Sequence, residues 1–172
     1  MDFNDKVKET YESNYWNWNG FKIFWSVSGK NNTYPIIMLH GFGASSKHWR
    51  NNSNFFAKKG YAVYAIDLIG FGNSAQPGIK DIGGLDNKIW CNQVKDFIMQ
   101  VIRPNNPNKI TLIGNSLGSL VALTCAVRLE NEISSVVASS LPESIVFKQK
   151  RSKYNSVFEK YKIIFIKIFF KI

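Results

Sequence analysis

Histidine is nearly missing from this 172-residue chain: His40 and His48 are the only two, and none follows residue 48. Proton transfer near neutral pH leans on histidine, so a mechanism that needs such a base must recruit one of these two. Cysteine is equally scarce. Cys91 and Cys125 lie in helix-like segments among apolar neighbours, without the C-x-x-C spacing of a metal site or the density of a disulfide framework. Reduced core thiols are expected, and neither a metal nor a cofactor is. No stretch of about 18 uncharged apolar residues occurs, which excludes an ordinary transmembrane helix. Residues 1–12 mix Asp, Glu and Lys before the first aromatic cluster and so lack the layout of a secretory leader; a cytoplasmic location is expected.

What is abundant is apolar and aromatic: 45% hydrophobic and 15% aromatic residues suffice for a sizeable core in one domain. Lys and Arg number 22 against 12 Asp and Glu, a net charge of +10 that by itself would suggest an anionic partner. The distribution removes that suggestion. Residues 1–144 carry 14 basic and 11 acidic side chains, whereas residues 145–172 carry 8 and 1. The body of the chain has no basic face interleaved with stacking aromatics, so no nucleic-acid partner is expected.

Hydrophobic patterning predicts strands at residues 21–27, 34–40, 61–67, 109–114 and 133–139, with helices at 46–59, 85–103 and 117–129. Gly60 closes the first helix, Pro104 ends the second, and 105–108 is a turn-rich connector. The 34–40 segment is apolar almost throughout, as in a strand buried on both faces. Strands alternating with helices imply an α/β fold with a mostly parallel sheet flanked by helices.

Three motifs carry chemistry. Gly114-Asn115-Ser116-Leu117-Gly118 fits G-x-S-x-G and falls between a predicted strand and a predicted helix, the context that a nucleophilic serine requires. Ser116 is the candidate nucleophile, and the alternative is a serine that merely caps the helix. His40-Gly41-Phe42-Gly43 follows the buried strand, where a loop could hold developing negative charge with backbone N–H groups; Phe42 and Leu117 are the candidate donors. Asp67 opens Asp67-Leu68-Ile69-Gly70-Phe71-Gly72-Asn73-Ser74, in which its carboxylate is expected to accept loop N–H bonds. A rival remains open. Gly41-Phe42-Gly43-x-x-Ser46, with Asp67 about 20 residues on, imitates a dinucleotide fingerprint with a serine in place of the third glycine.

LHGFGAS, HWR, YAVYAIDLIGFGNS, W-x-x-Q-V-x-D-F and TLIGNSLGSLVAL, in this order and spacing, resemble the α/β-hydrolase family, and most of all its pheophytinase-like and cyanobacterial-type serine hydrolases. The likeness spans roughly residues 20–140, with Ser119 where a third glycine is common. It implies hydrolysis of a small ester-like substrate by Ser116, assisted by the backbone of Phe42 and Leu117 and supported by His40, Gly41, Gly43, Asp67, Gly114, Asn115 and Gly118. The family triad runs Ser, then Asp or Glu, then His. After Ser116 this sequence holds no histidine and no aspartate, and Glu143 has no base to orient.

The resemblance therefore divides the chain into a partial hydrolase core (1–144), reaching about the sixth strand, and a basic, apolar-rich tail (145–172) that starts a helical cap. A carboxy-terminally shortened hydrolase, inactive or very weak by itself, is expected. A non-catalytic remnant and a membrane-surface module are the alternatives. As a helix, residues 158–172 would align Lys160, Lys167 and Lys171 on one stripe and could lie on an anionic membrane. A sheet that ends at 133–139 would leave a bare edge and favour self-association.

Overall fold

The computed structural model describes residues 11–141 and the strand at 164–166. Its strands are β1 (Tyr11–Trp18), β2 (Phe21–Ser28), β3 (Tyr34–Leu39), β4 (Tyr61–Ile66), β5 (Ile110–Asn115), β6 (Ile133–Ser139) and β7 (Ile164–Ile166). They form one sheet in the order β1-β2-β4-β3-β5-β6-β7. From β4 through β7 every pairing is parallel, while β2 runs antiparallel to both β4 and β1. The helices are α1 (Arg50–Ala57), which follows a 3-10 turn at Ser46–Trp49, the short α2 (Ile79–Ile82), α3 (Asn87–Phe97) and α4 (Leu117–Arg128).

Strand alternation sorts the core onto two faces. Ile37, Leu39, Tyr64 and Ile66 pack with Val94 and Phe97 of α3 and with Val121 and Cys125 of α4, all buried. Ile36, Met38, Val63 and Ala65 face the other way, against Trp49 and Phe56. This is the two-faced burial expected of parallel strands joined by crossover helices. Asp86 caps α3 by accepting the Ile89 N–H at 2.8 Å. The same helix leaves through a π turn at Ile98–Ile102, where the Arg103 N–H reaches the Ile98 carbonyl at 2.8 Å, one residue before Pro104 ends it.

Two expectations need correction. The sheet does not stop at β6, because β7 pairs with it, Val137 opposite Ile164 and Ser139 opposite Ile166. The carboxyl half of the β6 edge is thus covered rather than bare; along 133–136 no outer strand pairs among the described residues. Residues 164–166 are strand, not part of a helix, and the remainder of the expected cap or membrane helix lies outside the described residues. β2 coincides with the strand expected at 21–27, whereas β1 and the hairpin that it forms with β2 were not expected. Its turn is Asn19-Gly20, both with positive φ (51° and 85°), the geometry that a two-residue hairpin loop matched to strand twist demands.

Candidate active site

Sheet register brings the chemistry to one edge. Leu39 pairs with both Ile66 and Gly114, and Gly114 pairs with Ala138. The residues that leave these carboxyl ends, His40, Asp67, Ser116 and Ser140, therefore emerge side by side.

Ser116 stands between β5 and α4 with φ 52° and ψ −112°, a conformation that L-residues rarely adopt, and its side chain makes no capping bond to the helix. The capping alternative fails on that point. The backbone holds the turn instead: the Ser116 N–H donates to the Ser139 carbonyl at 2.9 Å, and its own carbonyl accepts from Ser119 at 3.0 Å. Since α4's bonding starts there, the Leu117 N–H precedes the first intrahelical hydrogen bond.

The two motif glycines are explained by contact. A Cβ on Gly114 would strike the Gly118 carbonyl and lie 2.5 Å from the Ser119 nitrogen; one on Gly118 would strike the Leu39 carbonyl and lie 2.7 Å from the His40 carbonyl oxygen. The helix can enter beside β3 only because both positions lack a side chain. Ser119 completes the junction with an unforeseen role: its buried hydroxyl lies 2.8 Å from the Gly114 carbonyl and 2.7 Å from the Ser139 carbonyl and shares its one proton between them, tying β5 to β6 beneath the elbow. Nothing in the motif announces this. A third glycine could not make those bonds.

The loop after β3 does lie against this turn. A Cβ on Gly41 would sit 3.2 Å from Asn115 Oδ1 and 3.5 Å from Ser116 Cβ, so the Gly41 backbone passes close to the serine. Gly43 takes φ 69°, and between the two glycines Phe42 is 79% exposed, its ring edge-on to Phe71 at 5.3 Å.

His40 is fully buried and committed on both nitrogens: Nε2 accepts the Leu68 N–H at 3.0 Å, which places the proton on Nδ1, and Nδ1–H donates to the Gly41 carbonyl at 2.8 Å. Burial pushes its pKa below the ordinary 6.5, against the raising pull of the Gly41 bond and the Asp67 charge. It is a neutral strut between two loops. His48 is exposed, with its ring against Trp49. His40, with both nitrogens committed, is not available as a base for Ser116.

The His40 geometry carries a pH prediction. Below 6.5 the unfolded chain takes up a proton that the folded chain refuses, so stability present at neutral pH is lost as pH falls. The slope should reach at most about 1.4 kcal/mol per pH unit. Urea midpoints measured from pH 7.5 to 5.5 should fall for the wild type and fall less steeply for His40→Gln. Equal slopes would show that His40 charges freely in the fold.

Asp67 is buried and accepts from the Ser46 N–H (2.5 Å) and the Asn73 N–H (2.7 Å), while Ser74 Oγ donates back to its carbonyl at 2.6 Å. The carboxylate is consumed by its own loops. A dinucleotide ribose has nothing to bind there, and the fingerprint rival loses its acidic residue. From α3, Gln93 accepts the Ile69 N–H at 2.9 Å and the Trp90 indole donates to the Ile69 carbonyl at 3.0 Å, which explains the W-x-x-Q spacing. Asp96 of the same motif accepts the Trp18 indole N–H at 2.9 Å and holds the hairpin.

Among the described residues no group of three His, Cys, Asp or Glu side chains could hold a metal ion, and no helix is long and apolar enough to cross a membrane.

A parallel sheet with an antiparallel β2 at its flank, and a serine at the turn from its central strand into a helix, defines the architecture of an α/β-hydrolase. The sequence pattern of the alpha/beta hydrolase fold matches residues 34–162, and this chain belongs to that family. It is 29% identical over 136 residues to a 2-hydroxy-6-oxo-6-(2'-aminophenyl)hexa-2,4-dienoic acid hydrolase of Metapseudomonas resinovorans, a match covering 77% of this chain and 43% of that one. It is 26% identical over 115 residues to a pimeloyl-[acyl-carrier protein] methyl ester esterase of Aliivibrio fischeri, covering 67% and 38%. The chain thus spans less than half the length of these relatives. Among solved structures, a thioesterase domain from the curacin biosynthetic pathway superposes with TM-score 0.70 at 20% identity, over 87% of this chain and half of that one. A predicted hydrolase from Thermoplasma acidophilum superposes with TM-score 0.68 at 18% identity, over 92% and 87%. These structural likenesses speak for the fold.

Proposed function

We propose that this chain carries the nucleophile half of a serine hydrolase acting on a small ester or similar acyl compound. Ser116 attacks the carbonyl carbon, and the backbone N–H groups of Phe42 and Leu117 hold the oxygen as it gains charge. The supporting observation is the strained, uncapped Ser116 turn lying against the Gly41 backbone. Fold stability gains nothing from that strain, and sites that keep such strain are characteristically functional. A serine at this position offers a hydroxyl for the attack. The esterase and acid hydrolase relatives agree with an acyl substrate.

An unassisted serine hydroxyl is a weak nucleophile. With His40 committed on both ring nitrogens and His48 exposed against Trp49, this polypeptide should hydrolyse p-nitrophenyl butyrate at least about a thousandfold more slowly than a family esterase that has its triad. Ser116→Ala should change that residual rate little. Imidazole supplied in solution should then raise the wild-type rate above that of Ser116→Ala, after subtraction of the imidazole background. Equal rates in imidazole would refute the nucleophile role. Robust turnover without imidazole, abolished by Ser116→Ala, would show instead that a base is already present.

A further inference from the structure

Cys91 and Cys125 are the only cysteines in the chain, 34 positions apart, and the fold brings them together. Cys91 lies on α3 and Cys125 on α4, both buried in the seam between the helices, with Cys125 Sγ–H directed at Cys91 Sγ at 3.3 Å. Sequence patterning alone gave no reason to pair them. We propose that these two thiols form a reversible disulfide site that staples α3 to α4 when a peroxide reaches the seam.

The geometry suits the step. A disulfide needs sulfurs about 2.05 Å apart, so rotation of the two side chains must close about 1.3 Å. Their surroundings are asymmetric in the way such chemistry needs. The Cys125 hydrogen bond, helped by the Arg128 guanidinium and Lys95, lowers the Cys91 pKa against the opposing pull of burial, whereas Cys125 is pushed up by its bond to Cys91 and by burial. Cys91 is therefore the attacking sulfur and Cys125 the resolving one. Cys91 thiolate attacks one oxygen of hydrogen peroxide: an S–O bond forms, the O–O bond breaks, and the leaving hydroxide takes a proton to become water. Cys125 sulfur then attacks the Cys91 sulfenic sulfur, the S–O bond breaks, and the Cys125 proton leaves with the hydroxyl as a second water. Two thiols are oxidised to one disulfide and one peroxide is reduced to two waters.

The staple would join two helices that support the candidate active site. α4 begins at the Ser116 turn, and α3 carries Trp90 and Gln93, which hold the loop at Ile69. Neither cysteine touches Ser116, so the proposal is independent of the proposed hydrolase chemistry.

The test uses the full 172-residue chain. After exposure to hydrogen peroxide, quenching, denaturation and alkylation, the two alkylatable thiols should fall to none, with the intact mass lower by two hydrogens. Unreduced digestion should yield one peptide pair joining Cys91 to Cys125, and dithiothreitol should restore both thiols. In Cys125→Ser, dimedone should trap Cys91 as a sulfenic acid; the wild-type measurement decides should that variant fail to fold. Two thiols still fully alkylated, over-oxidation to sulfinic acids without a link, or a link only between separate chains would each overturn the proposal.

Discussion

Gly118→Ala is expected to cost the fold about 3 kcal/mol, at the upper end of what overpacking a close contact costs. The added carbon would meet the Leu39 and His40 carbonyl groups, which are backbone and cannot swing aside as a flexible side chain would. Relief requires α4 to lift from β3, and α4 carries the Ser116 turn with it. Gly43→Ala provides the comparison. Gly43, unlike the helical Gly118, takes a positive φ, and a Cβ there meets nothing within 4 Å, so its cost should be backbone strain alone, about 1 kcal/mol. Urea unfolding of the two variants separates the cases. Equal costs would mean that α4 is not seated against β3 as described.

Asp67→Ala should be comparably damaging, at about 4 kcal/mol. Two bonds to a carboxylate, one buried and one part-buried, are lost at once, each worth about 1.5–3 kcal/mol, and the Ser46 and Asn73 N–H groups are left without their acceptor. Asp67→Asn should fall between, because its single amide oxygen can serve only one of the two donors and its NH2 group faces the other. The damage should appear as lower unfolding midpoints in both variants, larger for alanine. A near-neutral Asp67→Asn would show that the carboxylate's two oxygens are not both required.

Much of this was legible because local chemistry and fold coincide. Strict apolar runs at 34–39 and 61–66 identify strands buried on two faces, and a strand, a G-x-S-x-G and a helix in succession leave one place for Ser116. What was missed has physical causes. The strand Tyr11–Trp18 presents mostly exposed residues and so lacks the alternation that marks a half-buried strand, although Asn19-Gly20 was a hairpin signal in plain view. The segment 164–166 reads as helix in sequence because a short apolar run suits either state until its partner is known, and that partner is β6. The roles of Ser119 and His40 depend on hydrogen bonds between residues that only the sheet register brings together. The meeting of Cys91 with Cys125 is likewise a product of helix packing, which spacing in the chain does not encode.

The central claim is that Ser116 and the N–H groups of Phe42 and Leu117 converge on one point. A small alkylboronic acid tests it, since a serine oxygen converts trigonal boron to a tetrahedral adduct whose oxygen occupies the position of the charged intermediate. In amide-resolved NMR, titration should move the Phe42 and Leu117 N–H resonances together and downfield, with saturation, and Ser116→Ala should abolish both shifts. Shifts that survive Ser116→Ala, or a saturating response confined to residues away from the 41–43 loop and the start of α4, would contradict the account.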